Sequence, residues 1–345
     1  MRAAVYKGNK EFIIEDRFET EPSSDEVRLK VAFCGICGTD VHVYHGMMDK
    51  RVTTHRVIGH ECSAIVDKVG DNVKNFSIGD HVVVRPLVPI GDCYACTSGN
   101  DHICYNLKFL GLDCDGAFQE KWNVPASTLH KIPSDLKLEY AALIEPLAVA
   151  CHDVTRSRLV HGEDVLVIGG GPIGLLIAMV AKHKGANVIV SEVNEIRSSL
   201  AREIGFKVIN PVNEDIEKAI NNYTDNKGAN VIFEVSGSSN GVTAMTKCAA
   251  VRARIVMVAI HGKPQSVDLF QFFWRELELI GARVYTSDDY EDAINLITSN
   301  AIDCEKLITN ISSLDDIQHS FEILDSSDGA MKSLICCNNK EIYYE

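Results

Sequence analysis

A glycine-rich loop between an apolar strand and a helix constrains the fold of this chain more than any other feature. The loop places Gly169, Gly171 and Gly174 at the spacing G-x-G-x-x-G. An apolar run at 165–168 precedes the loop, and a helix-patterned run at 172–184 begins at its end. The first glycine permits a tight turn, the second lets the backbone approach a pyrophosphate, and the third lets the helix pack on the strand. The helix N-terminus then offers free N–H groups to phosphates, so the pattern predicts a dinucleotide-binding βαβ unit.

An acidic residue at the end of the next strand bears on the choice of dinucleotide. Glu192 lies 18 positions after Gly174. A carboxylate there accepts hydrogen bonds from the adenosine ribose hydroxyls and repels a 2′-phosphate, so NAD is favoured over NADP. Arg197 lies close enough to pair with that phosphate instead, which keeps NADP open. A glycine-rich turn that binds nothing is the weaker interpretation, because strand, loop, helix and acid occur in register.

Strands and helices alternate through much of the second half of the chain, whereas the first half has another pattern. Residues 1 to about 150 show β-branched alternation, glycines and turns, which are typical of a small antiparallel, barrel-like β domain. A chain of 345 residues exceeds the size at which one core keeps growing, so two domains are expected. From residue 151 the alternation predicts a parallel sheet. Its further strands are predicted at 187–190, 207–209, 231–235, 254–258 and 277–280.

Composition excludes several kinds of partner. Lys and Arg number 34 against 48 Asp and Glu, a net charge of −14 without a basic cluster, so no nucleic-acid partner is expected. No window reaches the roughly 18 apolar residues of a membrane span, and the N-terminus lacks an apolar signal core. Twelve cysteines in such a chain predict metal ligands and buried thiols rather than disulfides. We therefore expect a cytoplasmic protein that does not bind a membrane.

A thiol, an imidazole and two carboxylates form a candidate zinc site. Cys37 opens the run Cys-Gly-Thr-Asp-Val-His, and His60 adjoins Glu61. A catalytic zinc takes such ligands on three sides and keeps one position open. Glu145 is the further candidate, so the set is Cys37, His60 and some combination of Glu61 and Glu145. Taken singly, each residue is better explained as an ordinary buried or solvated side chain. Together with a dinucleotide fold they favour a metal site.

Three neighbours of Cys37 suit proton movement and ligand orientation. Oxidation of an alcohol releases a hydride and a proton, and the proton needs a route out. The hydroxyl of Thr39 and the imidazole of His42, two and five residues past Cys37, are suited to form such a relay. Asp40 suits a position behind the ligands, where it would fix the ring of a zinc-bound histidine.

The chain resembles the zinc-dependent medium-chain dehydrogenases/reductases, most of all the branch with sorbitol (polyol), threonine and sugar-acid dehydrogenases. The resemblance covers nearly the whole chain and is carried by the segments 35–42, 57–61, 144–149 and 167–174. It implies an α/β fold with a GroES-like, β-rich catalytic domain and a Rossmann domain with a doubly wound parallel sheet. The catalytic domain would take residues 1–150, completed by about 285–345, and the Rossmann domain 151–284. Hydride transfer between a substrate carbon and the nicotinamide would occur in the cleft.

The resemblance also carries over the roles of individual residues. It aligns Cys37, His60 and Glu61 with zinc ligands, and Glu145 with a position that is a ligand in some branches and a water-mediated neighbour in others. The two glutamates are expected to exchange during turnover. A homodimer or homotetramer is expected by family analogy alone, with the strand near 277–284 as a plausible dimer edge. The cofactor contacts that carry over are Ile173, Glu192, Arg197, Val258 and Ile260.

One segment departs from the family pattern. Relatives commonly carry four cysteines spaced C-x2-C-x2-C-x7-C, whereas this chain has Cys93, Cys96 and Cys104 with Ile90 at the first position. A structural zinc normally uses four ligands, so three thiolates leave it one short. In one interpretation Asp92 or another carboxylate supplies the fourth ligand. In the other the lobe is empty and holds three reduced cysteines.

Taken together, the motifs predict a zinc-dependent oxidoreductase that transfers a hydride between NAD and a secondary alcohol of a polyol, sugar or sugar acid. One alternative is a zinc-independent quinone or enone reductase of the same fold, and another is a non-catalytic NAD-binding sensor. The joint presence of Cys37, His60 and Glu61 argues against the reductase, and the completeness of the motifs argues against both. The alcohol or ketone itself is not specified, because loops such as 45–54 and 270–274 would shape the pocket.

Overall fold

Two large sheets organise the residues that the computed structural model describes, 1–325 and 330–338. Contacts between Cα atoms divide the chain into two units. We call unit 1 the residues 1–145, 286–300 and 307–345, and unit 2 the residues 146–285 and 301–306. No helix in the described ranges has both the length and the apolar character needed to cross a membrane.

The strands are β1 (Arg2–Gly8), β2 (Glu11–Asp16), β3 (Glu26–Gly35), β4 (Glu61–Val69), β5 (His81–Val84), β6 (Leu87–Val88), β7 (Lys108–Phe109), β8 (Lys121–Pro125), β9 (Leu129–Lys131), β10 (Asp164–Ile168), β11 (Asn187–Ser191), β12 (Lys207–Ile209), β13 (Ala229–Glu234), β14 (Ala249–Met257), β15 (Glu278–Gly281), β16 (Ile308–Ser313) and β17 (Lys332–Cys336). The α-helices are α1 (Gly38–Tyr44), α2 (Tyr94–Thr97), α3 (Leu138–Ala141), α4 (Ile144–Ser157), α5 (Pro172–His183), α6 (Glu195–Glu203), α7 (Ile216–Tyr223), α8 (Ser239–Lys247), α9 (Leu269–Arg275), α10 (Ser287–Thr298), α11 (Cys304–Leu307) and α12 (Ile317–Asp325).

Unit 2 contains a six-stranded sheet in the order β12-β11-β10-β13-β14-β15. Every neighbouring pair in it is parallel, and helices connect the strands, so the predicted parallel sheet is confirmed. The central strands carry runs of buried apolar residues, as strands covered on both faces must, and Leu166, Ile232 and Ile255 are fully buried. The strand order reverses between β10 and β13. Ligands bind at such a reversal, outside the carboxyl ends of the strands.

Unit 1 is rich in β structure and contains a seven-stranded sheet. The order is β16-β17-β3-β4-β5-β9, with β8 paired to β3, and β1 and β2 form a separate hairpin. Its pairs are antiparallel except for the parallel pair β16–β17. The C-terminal strand β17 is thus inserted beside β3. The structure confirms the predicted α/β class, with one β-rich part and one part built on a parallel sheet.

Candidate metal centre and nucleotide-binding loop

Three neighbouring strands of unit 1 bring distant residues to one edge of its sheet. Gly35, the last residue of β3, pairs with Glu61, the first residue of β4, and with Leu334 of β17. The same register places the loop after β3 beside the residue before β4. Cys37 and His60 therefore meet near Glu61, although more than twenty residues, including helix α1, lie between them in the chain.

The side chains of Cys37, His60 and Glu61 meet at this edge, as expected from the sequence. One ligand atom of each lies within 4.8 Å of the ligand atoms of the other two. His60 and Glu61 are buried, and Cys37 is partly exposed. A thiol, an imidazole and a carboxylate at this spacing are a donor set that fits zinc.

Asp40 lies behind two of these residues and is itself fully buried. Its Oδ2 accepts a hydrogen bond of 2.9 Å from the backbone N–H of Cys37, because Asp40 is the third residue of α1 and Cys37 caps that helix. Its Oδ1 lies 3.5 Å from Nδ1 of His60. Neither of these two atoms has a hydrogen-bond partner within the described ranges. Since Nδ1 faces Asp40, Nε2 is the nitrogen left for a metal, which is the arrangement of metal-binding histidines.

The electrostatics around His60 favour a cation. Burial by itself lowers the pKa of the imidazole, but the facing Asp40 carboxylate and the Cys37 thiol outweigh it, so the pKa of His60 lies well above its usual value. The site therefore attracts positive charge to this ring. A metal ion binds the neutral ring, so its binding here would release a proton.

Gly35 is required by the position of the Glu61 side chain. A Cβ at residue 35 would lie 2.3 Å from Oε2 of Glu61 and 3.3 Å from its Cβ. Because the two residues are directly paired across β3 and β4, their side chains would share one face of the sheet. Only glycine leaves that space to the carboxylate.

Lys332 is a member of this centre that the sequence analysis did not identify. Its Nζ lies 2.5 Å from Oε2 of Glu61 and donates to the carbonyl oxygen of Ile36 at 3.3 Å. The lysine is 3% exposed. Burial lowers its pKa, but Glu61 and Cys37 more than compensate, so the pKa of Lys332 is raised and the ammonium form is favoured. No sequence motif links Lys332 to this centre, because its partner Glu61 lies 271 residues away along the chain.

Three other predicted residues lie around the centre. Glu145, buried at the start of α4, is not in the group formed by Cys37, His60 and Glu61, although its charge acts on Lys332. Thr39 and His42 are both partly exposed on α1. Three residues apart, they lie on one face of the helix, as a proton relay requires.

The three remaining predicted thiols form a second cluster in unit 1. Their ligand atoms also lie within 4.8 Å of one another, with Cys93 Sγ 3.6 Å from Cys96 Sγ and 3.7 Å from Cys104 Sγ. Backbone N–H groups of Tyr105 and Cys96 lower the pKa of Cys93 to about 7, which favours the thiolate that zinc binds. Ile90 is 59% exposed and offers no ligand. The three thiols are suitable ligands for zinc, but they are one fewer than the four that a structural zinc normally takes.

The glycine loop in unit 2 has the expected strand–loop–helix setting between β10 and α5. A Cβ at Gly174 would lie 1.9 Å from the carbonyl oxygen of Gly169, so only glycine permits this packing of helix on strand. Glu192 is buried, and its two oxygens accept hydrogen bonds of 2.7 Å from the N–H groups of Gly170 and Asn194. The carboxylate is thereby fixed at the loop.

A cavity of about 640 Å³ lies beside this loop. Gly169, Gly171, Glu192 and Arg197 line it, and the buried Nε of Arg197 lacks a hydrogen-bond partner among the described residues. Its volume and its lining by a glycine loop, an acid and a base suit a nucleotide. The residues Ile173, Val258 and Ile260, predicted as cofactor contacts, do not line it, and Ile260 is 78% exposed.

Comparison with protein families gives two matches, one in the β-rich part of the chain and one that begins in the part with the parallel sheet. Residues 23–134 match the alcohol dehydrogenase GroES-like domain. Residues 172–299 match the family described as zinc-binding dehydrogenase. The first match contains Cys37, His60, Glu61 and the three-thiol cluster, and the second begins within the glycine loop.

Individual relatives match over almost their whole lengths. The 2-dehydro-3-deoxy-L-galactonate 5-dehydrogenase of Pseudoalteromonas atlantica is 50% identical, and the match covers 99% of this chain and 100% of that protein. The structure of a zinc-binding dehydrogenase from Sinorhizobium meliloti bound to NADP has a TM-score of 0.91 and 29% sequence identity to this chain. The match covers 97% of this chain and 98% of the other. An alcohol dehydrogenase from Escherichia coli complexed with NADH is 29% identical with a TM-score of 0.90, covering 97% and 99%.

Proposed function

Because the chain belongs to the zinc-binding medium-chain alcohol dehydrogenase family, we propose that it oxidises a secondary alcohol of a sugar acid with NAD. It is a zinc-dependent dehydrogenase that acts on CH–OH groups with NAD(P). The match to a sugar-acid dehydrogenase, 50% identical over 99% of this chain, is the observation that carries the substrate class. The zinc-independent reductase and the non-catalytic sensor are set aside, because both family matches are to zinc-binding or alcohol dehydrogenases.

We assign the catalytic zinc to Cys37, His60 and Glu61, with Glu145 as the residue that exchanges with Glu61. The convergence of the first three supports this. A bound zinc supplies Lewis-acid stabilisation of the negative charge that develops on the substrate oxygen. Lys332 holds Glu61, and Asp40 holds the Cys37 backbone and faces His60.

Thr39 and His42 are proposed to carry the alcohol proton away from the substrate. The Thr39 hydroxyl both donates and accepts, so it can pass a proton from the substrate hydroxyl to a neighbour. His42, one turn along α1, is placed to accept that proton on a ring nitrogen. Both side chains are partly exposed, which gives the proton access to solvent.

NAD is the proposed cofactor, bound by the loop of Gly169, Gly171 and Gly174. The Glu192 carboxylate supports NAD over NADP, because its buried negative charge at the loop opposes a 2′-phosphate. Arg197 lines the same cavity and is proposed as a further contact of the nucleotide. Ile173, Val258 and Ile260 stay predictions as cofactor contacts.

The outer face of β15 and the adjoining α9 support a homodimer or homotetramer. β15 is the last strand of its sheet, and an unpaired edge is a template for pairing with a second chain. Four large apolar side chains of α9 are exposed, which is uncommon for a surface without a partner. They are Leu269, Phe270, Phe273 and Trp274. Light scattering of the purified protein distinguishes these states from a monomer. The domain limits and the cytoplasmic location stay predictions.

A substrate panel tests the proposed function. Zinc-loaded enzyme is assayed by NADH absorbance with sugar acids, polyols, diols and amino alcohols, and each active compound is repeated with NADP. We expect the highest kcat/KM for a sugar acid such as 2-dehydro-3-deoxy-L-galactonate, and a preference for NAD of at least about tenfold. The variant Glu192→Gln should narrow that preference. Faster turnover of neutral polyols or amino alcohols would overturn the substrate class, and equal use of NADP would overturn the role of Glu192.

A further inference from the structure

Arg85 is a buried arginine of unit 1 that has no ionic partner among residues 1–325 and 330–338. Arg85 is 9% exposed, and its Nε is fully buried without a hydrogen bond. Within residues 1–325 and 330–338, its guanidinium makes neither an ion pair nor a hydrogen bond to another side chain. Burying an unpaired charge costs several kcal/mol, so a protein keeps such a group where an anion compensates it.

The backbone fixes where this arginine lies. β4 and β5 pair antiparallel with Ser63 opposite Val83, so Arg85, two residues past Val83, lies at the end of the sheet where β4 begins with Glu61. The backbone N–H of Arg85 donates to the carbonyl oxygen of Thr128 at 2.7 Å, which continues the pairing of β5 with β9 by one residue.

The surroundings of Arg85 confirm that it belongs to the neighbourhood of the metal residues. Burial and then the Glu145 charge raise the pKa of Tyr290, while the Arg85 charge lowers it, so both charges lie near that ring. Tyr290 itself donates to the carbonyl oxygen of Val84, the residue before Arg85. Burial and the Arg85 charge also lower the pKa of His130, whose ring is paired with Glu291 at 2.5 Å, so that carboxylate is already engaged.

We propose that Arg85 binds the carboxylate of the substrate, which makes it the residue that selects sugar acids over neutral polyols. This inference rests on the proposed function and names the group that would recognise its substrate class. A guanidinium offers two parallel N–H donors that match the two oxygens of a carboxylate. In 2-dehydro-3-deoxy-L-galactonate, the substrate of the P. atlantica relative, a short carbon chain separates the carboxylate from the carbon that is oxidised. Arg85, one strand from the ligand Glu61, suits that separation.

The test compares an acid with its own amide. Wild type, Arg85→Met and Arg85→Lys are assayed with the sugar acid and with the corresponding carboxamide, which lacks the negative charge. Removing a charged hydrogen bond weakens binding by roughly 10- to 100-fold. Arg85→Met should therefore raise KM for the acid by about that factor and leave KM for the amide almost unchanged. Arg85→Lys should recover part of the loss. Arg28→Met is the matched control, because Arg28 is also largely buried in unit 1 but is paired with Asp67.

Two further measurements separate this proposal from the proposed function. Zinc content and thermal unfolding of each variant show whether Arg85 only supports the metal centre. A lower zinc content, or equal losses for acid and amide, would overturn the role in substrate binding. Calorimetric binding of an aldonate requires no turnover. Binding to wild type that is lost in Arg85→Met supports the anion site even if no sugar acid is oxidised, whereas equal binding to both proteins overturns it.

Discussion

Two buried carboxylates determine the charge and the orientation of the candidate metal ligands in unit 1. Asp40 holds the backbone of Cys37 and faces His60, while Glu61 is both a candidate ligand and the partner of Lys332. The pairing of Glu61 with a buried ammonium keeps a carboxylate in the low-dielectric interior. Breaking a buried pair by removing one member leaves the other charge uncompensated.

Lys332→Met should therefore destabilise unit 1 strongly. We expect a loss of about 3–5 kcal/mol, because the Glu61 carboxylate stays buried without its counter-charge. The measurement is urea unfolding followed by circular dichroism. Added zinc should restore part of the loss, since a cation at the ligand atoms compensates the same carboxylate.

Lys131→Met is the matched control for that experiment. Lys131 pairs with Asp80 at 2.7 Å, but its side chain is 53% exposed, and exposed pairs contribute about 0–1 kcal/mol. If the two variants unfolded at the same urea concentration, the stabilising role of the buried Lys332–Glu61 pair would be wrong.

Sequence reasoning identified Cys37, His60 and Glu61 because their residue types are those of a zinc site. It missed Lys332 and Arg85. Neither has a motif of its own, and both acquire meaning only from a strand register that pairs distant segments. Gly35 belongs to a motif that the sequence analysis identified. Why this position must be glycine is evident only from the structure, where the Glu61 side chain occupies the space that a Cβ would take.

At the scale of elements, the segment 90–104 is the one that differs from the family pattern. Cys93 and Cys96 bracket the first turn of α2, and Cys104 follows the 3₁₀ helix Asp101–Ile103. This places three thiols together and leaves Ile90 in the position of the fourth. A tetrahedral zinc bound by three thiolates keeps a position that water or a chelator can enter.

Ile90→Cys should convert this lobe into a tighter zinc site. Wild type should lose the lobe zinc to EDTA while the variant retains it, because a fourth thiolate completes the tetrahedral set. Zinc per chain, measured by mass spectrometry during dialysis against EDTA, checks this. Ile78→Cys is the control, since Ile78 is likewise exposed but lies outside the lobe. Equal zinc loss from Ile90→Cys and wild type would show that residue 90 does not reach the metal.

Most strands of unit 2 were predictable because each is a continuous apolar run. β14 differs from its prediction: it covers Ala249–Met257, whereas the sequence predicts residues 254–258. The missed part has an exposed Val251 and a left-handed Arg252 at φ 59°, and the register to β13 shifts near it. Such an irregular start has no simple apolar pattern. The insertion of β17 beside β3 was equally invisible, because periodicity does not report which strands pair.

At the scale of the whole molecule, the two units differ in how far the sequence predicts them. The nucleotide loop of unit 2 is local: strand, glycines, helix and Glu192 occur within about thirty residues, so their pattern can be read directly. The metal centre of unit 1 draws on residues from 37 to 332, and its assembly depends on long-range strand pairing. From the sequence alone, only the residue types of that centre and their resemblance to a known family of zinc-dependent dehydrogenases could be recognised.

The central claim, that unit 1 holds a catalytic zinc through Cys37 while unit 2 binds the nucleotide independently, is tested most directly by Cys37→Ala. Zinc per chain and NAD affinity are measured on the same preparation, with Cys114→Ala as the control because Cys114 is a partly exposed thiol of unit 1 outside both clusters. We predict that Cys37→Ala loses about one zinc per chain and all turnover, while its NAD affinity stays within a few-fold of wild type. Unchanged zinc content together with full turnover would contradict the account.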